Sequence, residues 1–258
     1  MTQPELLVST PVQQDGNAPR YSLLVARDDS AEVVAAQRLR HEVFAGEMGA
    51  TLHTSVPGHD VDEFDQHCDH LVVRDDRTGQ IVGGYRMLPP ERAREAGRLY
   101  SDGEFDLTNL DGIRSSTVET GRSCVHPDHR NGAVVSLVWA GIARYMLLSG
   151  HKWLVGCASI PLHDGGGLAA GVWDVVNAKH LAPEQYRVTP HNPWDVDAVA
   201  RPDRTVLPPL LKGYLRLGAK ICGRPALDAD FGVADLFILL GLDHMDQRYL
   251  KFFLGETP

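Results

Sequence analysis

Glu119 and Arg122 stand three residues apart in VETGRSCVHPDHRNG (118–132), a β-prone segment otherwise fit for burial. A carboxylate placed there serves either as a general base or as the partner of a cation. On a strand, residues three apart point to opposite faces unless a bulge intervenes, and Gly121 is the residue type that permits one. Two solvated edge charges or a plain salt bridge satisfy the same pattern. The segment breaks at Pro127 into a polar loop that opens the apolar run AVVSLVWAGIARYMLL. A helix N-terminus offers unpaired N–H groups and partial positive charge, which suit a phosphate. His129 and Arg130 add cationic capacity, and Asn131-Gly132 lets a backbone come close. An ordinary strand-to-helix connection has the same outline.

Arg40 in LRHEVF and Arg86 in GGYRML sit where an apolar residue would continue the pattern. An unpaired buried guanidinium is prohibitively costly, so each must be paired or face a cavity. Asp62, Asp65 and Glu119 are the natural partners, and a purely structural ion network answers the same need. DEFDQHCDH (62–70) clusters Asp62 and Asp65 with His67, Cys68 and His70, but the spacing matches no closed zinc motif. A solvated face explains it as well, and no metal is expected. Lys212, Arg216 and Lys220 recur every four residues in LPPLLKGYLRLGAK and share one face if that stretch is helical. Such a stripe suits anionic lipid or an acidic partner, or is simply a solvated face.

These groups need a scaffold. The chain has 258 residues, a formal net charge of -9 and 43% hydrophobic residues, enough for a globular core. The acidic balance argues against general nucleic-acid binding. The four cysteines form no CxxC pair and no secretory signal opens the chain, so free thiols in a reducing cytoplasm are expected. Apolar stretches are broken by charge or glycine short of a membrane span. Residues 1–19 read as a flexible tail and 20–258 as a single domain. Strands are expected at 21–28, 70–75, 80–88, 116–125, 152–160 and 233–242. Helices are expected at 30–44, 133–149, from after the Gly-rich turn HDGGG (163–167) to about 180, and at 207–221. This order predicts an α/β fold with a mixed central sheet flanked by helices.

LRHEVF, DEFDQHCDHLVV, GGYRML and VETGRSCVHP, in that order, resemble the acyl-homoserine-lactone synthase branch of the GNAT superfamily. GRSCVHPDHRNG, VWAGIARY, GCASI and LPPLLKGYLRLGA resemble the ornithine lipid N-acyltransferases, the hemolysin-like group, more closely. The resemblance covers roughly residues 21 to 242. It implies a GNAT-like acyl-CoA N-acyltransferase fold and, as co-substrate, an acyl thioester on phosphopantetheine, with no other cofactor. The synthases' acceptor-side network matches Arg40, Asp62, Asp65, Arg86, Glu119 and Arg122, with Phe44 nearby. Glu119 and Arg122 are the expected catalytic pair. The donor arm would run past Cys124 and Val125 to His129, Arg130, Asn131 and Gly132. DHRNGA departs from the glycine-richer pyrophosphate loop of acetyl-CoA users, which favours acyl carrier protein as partner.

The resulting expectation is transfer of a long-chain fatty acyl group, with or without a 3-hydroxyl, from acyl carrier protein to the α-amine of an amino acid such as ornithine, giving a lyso-aminolipid. Glu119 would take the amine proton, and a backbone N–H near Cys124–Val125 would hold the oxyanion. A thiol in an apolar strand is usually inert, so Cys124 is not the expected nucleophile. A signal synthase using S-adenosylmethionine and a non-catalytic carrier-binding module are the alternatives. The expected location is cytoplasmic, with peripheral membrane contact through Lys212, Arg216 and Lys220.

Overall fold

The Ser30 hydroxyl accepts the Val33 N–H at 3.3 Å and caps the first helix, α1 (Ala31–His41). That helix buries Val33, Ala36, Leu39 and Arg40, the spacing of one helical face. The following EVFAGE widens into a π-helical turn that buries Val43 and Phe44. The structure, a computed structural model, describes residues 4–10, 20–27 and 30–245.

Its strands begin with β1 (Glu5–Ser9), β2 (Tyr21–Ala26), β3 (Asp69–Asp75), β4 (Ile81–Leu88), β5 (Phe105–Asp106) and β6 (Thr117–Val125). They continue with β7 (Trp153–Pro161), β8 (Thr189–Pro190), β9 (Lys220–Ile221), β10 (Ala226–Asp228) and β11 (Val233–Gly241). The later helices are α2 (Pro90–Glu95), α3 (Gly132–Ser149), α4 (Gly167–Lys179) and α5 (Pro209–Arg216).

Where the sequence suggests one domain over 20–258, the chain forms two compact units interleaved in sequence. Among described residues, the first holds those up to 96 and 120–151, the second 97–119 and 152–245. The chain passes between them inside β6, which reads as one continuous strand and so gives no sign of a boundary.

In the first unit β1, β2, β3 and β4 form an antiparallel ladder, with β6 beside β4. Part of the expected flexible tail is therefore a strand. ELLVS pairs with β2 and buries Leu7, while residues 1–3 and 11–19 lie outside the described set. Strand alternation sorts the side chains by face. Leu24 and Val72 pack with Val33 and Ala36 of α1, so His70 and its cross-strand partner Arg86 face the same side. Leu23 faces the opposite side and meets α3. A Cβ at Gly141 would stand 2.6 Å from a Leu23 methyl, so that glycine lets helix and sheet close. Helix α3 has the length and apolarity of a membrane span, but half of it is buried within the protein, as in a core helix.

In the second unit β7 pairs with β11 antiparallel along its whole length, and β11 also carries β9 and β10. This register puts Ser159 opposite Asp235 and Cys157 opposite Phe237, all four on one face. Phe105 closes edge-on over Phe237, with ring centres 5.6 Å apart. The helix expected over 207–221 is shorter. It ends at Arg216, because Gly218 turns left-handed at φ +100° and the chain re-enters the sheet at Lys220. Lys212 and Arg216 share an exposed helical face, whereas Lys220 lies on β9.

Candidate active site

Each unit holds a polar centre. In the first, Arg40 donates through both Nη atoms to Asp65 at 2.8–2.9 Å and also donates to the Asp60 carbonyl. Its Nε lies 3.0 Å from Asp60 Oδ2. Arg86 donates to Asp62 at 2.6 Å and passes 3.6 Å from Asp65, with its guanidinium 5.9 Å from the Phe64 ring centre. Arg122 places Nε 3.2 Å from Asp60 Oδ2 and donates from Nη2 to Asp62 at 3.3 Å. Arg40, Asp60, Asp65, His70 and Arg86 are all buried. The structure thus brings Arg40, Asp62, Asp65, Arg86 and Arg122 together, and adds Asp60. Phe44 lies buried on the π-helical turn that follows α1.

Burial pushes the Asp65 carboxyl up, but the charge and hydrogen bonds of Arg40, with Arg86 behind, outweigh it and hold it at about 2. Burial also raises Asp62, and Arg86 and Arg122 bring it below its ordinary value. For His70 burial wins over the attraction of Asp65, and the imidazole falls to about 4. It is neutral near pH 7, and its Nε2 donates to the Asp65 carbonyl at 3.1 Å. Asp60, Asp62 and Asp65 thus face Arg40, Arg86 and Arg122, opposite charges matched at short range. The clustered Asp62 and Asp65 that suggested metal ligands are bound by arginines.

The donor loop also has internal partners. Asn131 accepts the Ala133 and Val134 N–H groups at 3.1 Å, capping α3 where Gly132 opens it, and donates to the Tyr21 hydroxyl at 3.3 Å. His129 Nδ1 lies 3.0 Å from the same hydroxyl. Arg130 donates to the Val125 carbonyl at 3.0 Å and makes a two-pronged pair with Glu47 at 2.6 Å. Cys124 is buried, and burial pushes its thiol up to about 12. Beside this loop, β6 carries a left-handed residue. The sequence points to Gly121 for the irregularity, but Arg122 adopts it, with φ +51°.

In the second unit Glu119 is buried, and three donors converge on its carboxylate. Tyr100 N–H and Ser101 N–H donate at 2.5 and 2.9 Å, and the Ser101 hydroxyl at 2.5 Å. An ionised carboxylate accepts only, and matches such a set. The Ser101 hydroxyl also lies 3.5 Å from the Cys157 sulfur, which donates to Glu104 at 3.8 Å. Ser159 donates to Asp235 at 2.6 Å, and carboxylate oxygens of Glu104, Asp228 and Asp235 lie within 4.8 Å of one another. Burial first, then Asp235 and Asp228, push the Glu104 carboxyl up to about 9.

Glu104 gives a pH prediction. Its folded value lies above its unfolded one, so its contribution is fully present below about pH 4.5 and is lost as pH rises toward 9. Glu104→Gln removes that titration. Melting temperatures at pH 5 and pH 8 should draw closer together in the variant. An unchanged gap would reject the assignment.

Asp60, Ser101, Glu104 and Asp235 were missed by the sequence reading. Asp235 interrupts VADLFILLG as Arg40 and Arg86 interrupt theirs, so the same test would have found it. Asp60 lies in the irregular GHDVD, where no periodicity marks an exception.

An acetyltransferase (GNAT) domain model matches residues 39–140. Among solved structures, the CoA-dependent acyl-homoserine lactone synthase BjaI shares 17% identity, with 88% of this chain and 83% of that one covered at a TM-score of 0.52. FeeM, an N-acyl amino acid synthase from uncultured soil microbes, shares 12%, with coverage of 93% and 100% and a TM-score of 0.54. The fold is the α/β arrangement of the GNAT N-acyltransferases, a mixed sheet with flanking helices, and the protein is an N-acyltransferase. An L-ornithine N(alpha)-acyltransferase of Rhodobacter capsulatus is 36% identical over 247 residues, 90% of this chain and 94% of its own. That of Brucella abortus is 36% identical over 250 residues, 88% and 86%. The chain belongs to the L-ornithine N(alpha)-acyltransferase family.

Proposed function

We propose that the protein transfers a long-chain fatty acyl group, with or without a 3-hydroxyl, from acyl carrier protein to the α-amine of ornithine. The product is a lyso-aminolipid. The relatives' names support the acceptor, and the observation that carries the chemistry is the buried Glu119 carboxylate fixed by three donors from Tyr100 and Ser101.

An α-amine is mostly protonated at pH 7 and must lose a proton before it attacks. Glu119 takes that proton, directly or through water. The nitrogen then bonds to the thioester carbon, whose oxygen becomes anionic and is held by a backbone N–H of the Cys124–Val125 stretch. The carbon–sulfur bond breaks as the attacking nitrogen gives up its second proton, which reaches the departing phosphopantetheine sulfur so that it leaves as the thiol. Glu119 returns the first proton to solvent. Arg122 belongs to the same strand and holds its course. Arg40, Phe44, Asp62, Asp65 and Arg86 shape the acceptor side, and their mutual pairing makes them a scaffold for it. His129, Arg130, Asn131 and Gly132 take the donor arm, with Arg130 exchanging Glu47 for the donor phosphate. A lipid product gives exposed Lys212 and Arg216 a role in peripheral contact with anionic membrane, with Lys220 nearby in sequence.

One reaction panel tests this reading. The purified protein receives long-chain acyl carrier protein, long-chain acyl-CoA or acetyl-CoA, each with ornithine, other amino acids or S-adenosylmethionine. Mass spectrometry should find N-acyl-ornithine, formed best from the long-chain carrier donor. A lactone product would replace the reading with signal synthesis, and a product from acyl-CoA alone would remove the carrier protein.

A further inference from the structure

Arginine pays for a left-handed backbone with contact between its Cβ and its own carbonyl, so an interior strand residue adopts one only when its surroundings impose it. Among the described residues Arg122 is the sole non-glycine with positive φ. It sits in β6, three positions beyond Glu119. Asp60 is the residue that can impose this. Its Oδ2 lies between two guanidiniums, 3.2 Å from Arg122 Nε and 3.0 Å from Arg40 Nε. These are ion pairs by distance without hydrogen-bond alignment.

Asp60 is itself pinned. Its N–H donates to the Gln37 carbonyl at 3.0 Å, and its carbonyl accepts from Arg40. Gln37 and Arg40 both belong to α1, so the carboxylate is fixed to that helix at backbone and side chain together. It is only 3% exposed, which leaves little water to screen its charge. Asp62 holds the far end of the Arg122 guanidinium at 3.3 Å. Arg122 is thus gripped at Nε and Nη2 from a loop that α1 anchors.

We propose that Asp60 is a positioning residue of this acyltransferase: it ties α1 to β6 and imposes the left-handed turn of Arg122, which fixes the course of the strand that bears Glu119. The catalytic part of this claim rests on the reading of Glu119 as base, while the structural part does not.

The test compares Asp60→Asn, Arg122→Gly and the double variant by hydrogen exchange and by turnover of ornithine with a long-chain acyl donor. Asn is nearly isosteric but carries no charge, and glycine accepts a φ of +51° without strain. In the parent chain, Asp60→Asn should speed exchange in peptides covering β6 by about 10-fold. Its kcat should fall by roughly 30-fold while KM for ornithine moves less than about 3-fold, since geometry and not acceptor binding is lost. In the Arg122→Gly background, the same substitution should leave β6 exchange within about 3-fold, although peptides of α1 still respond. Equal acceleration of β6 in both backgrounds would overturn the proposal, as would unchanged β6 exchange in the single variant. Global unfolding of Asp60→Asn that Arg122→Gly fails to relieve would overturn it too. A parent chain that transfers no acyl group to ornithine would remove the proposed function and leave the exchange result standing.

Discussion

Replacing Glu119 with Gln should lower kcat by about 10²- to 10⁴-fold while KM for the acceptor changes little, the range expected when a positioned general base is removed. The substitution keeps the shape of the side chain but not its hydrogen bonding. Glu119 receives the Tyr100 N–H, the Ser101 N–H and the Ser101 hydroxyl. A glutamine has one acceptor oxygen and an NH2 group, so at least one donor then faces another donor. That mismatch should cost roughly 1–3 kcal/mol of stability. Turnover therefore has to be measured well below the variant's own melting temperature, with circular dichroism confirming the fold. Ser101→Ala separates the two effects. It deletes one donor, keeps the carboxylate, and should lose far less activity than Glu119→Gln. Full turnover in the folded Gln variant would remove Glu119 from the chemistry.

Much of the first unit was legible because its rules are periodic. Apolar, β-prone runs in HLVVRD and QIVGGYRML, with the turn Asp76-Arg77-Thr78-Gly79 between, specify the β3–β4 hairpin, and its register then sets His70 beside Arg86. Arg40 and Arg86 announced buried ion pairs, since a guanidinium on an apolar face needs a carboxylate. What the sequence could not show is choice among partners. Asp60, Asp62 and Asp65 are near-equivalent in composition, and only the fold around α1 decides that Asp60 bridges Arg40 to Arg122. Gly121 misled for a similar reason. Glycine permits a left-handed backbone but does not demand it, whereas the Asp60 carboxylate at Arg122 Nε does. The ELLVS strand was lost inside a polar stretch, because five residues carry too little pattern to outweigh their neighbours. The division into two units was invisible because it falls inside one strand.

Removing the Asp65 carboxylate should be the most damaging change to the fold. Asp65→Asn leaves Arg40, itself 2% exposed, without its two-pronged partner and weakens the surroundings of Arg86. Breaking a buried pair by deleting one partner typically costs about 3–5 kcal/mol, because a charge stays behind in low dielectric. Chemical denaturation should show this as a lower midpoint at constant slope. The pH dependence gives the claim a second signature. His70 has a folded value near 4, below its unfolded 6.5, so its contribution is present above pH 6.5 and is lost as pH falls toward 4. Asp65 has a folded value near 2, below its unfolded 3.8, so its contribution is present above that value and is lost between pH 4 and 2. The parent protein should therefore lose stability in two acid steps, the upper one from the imidazole and the lower one from the carboxylate. Asp65→Asn should shrink the lower step, leaving the part that Asp62 and other lowered carboxyls contribute. It should also extend the upper one to more acid pH, because the Asp65 charge that favours protonated His70 has gone. A lower step that persists unchanged in the variant would assign it to other carboxylates and remove Asp65 as the anchor of the network.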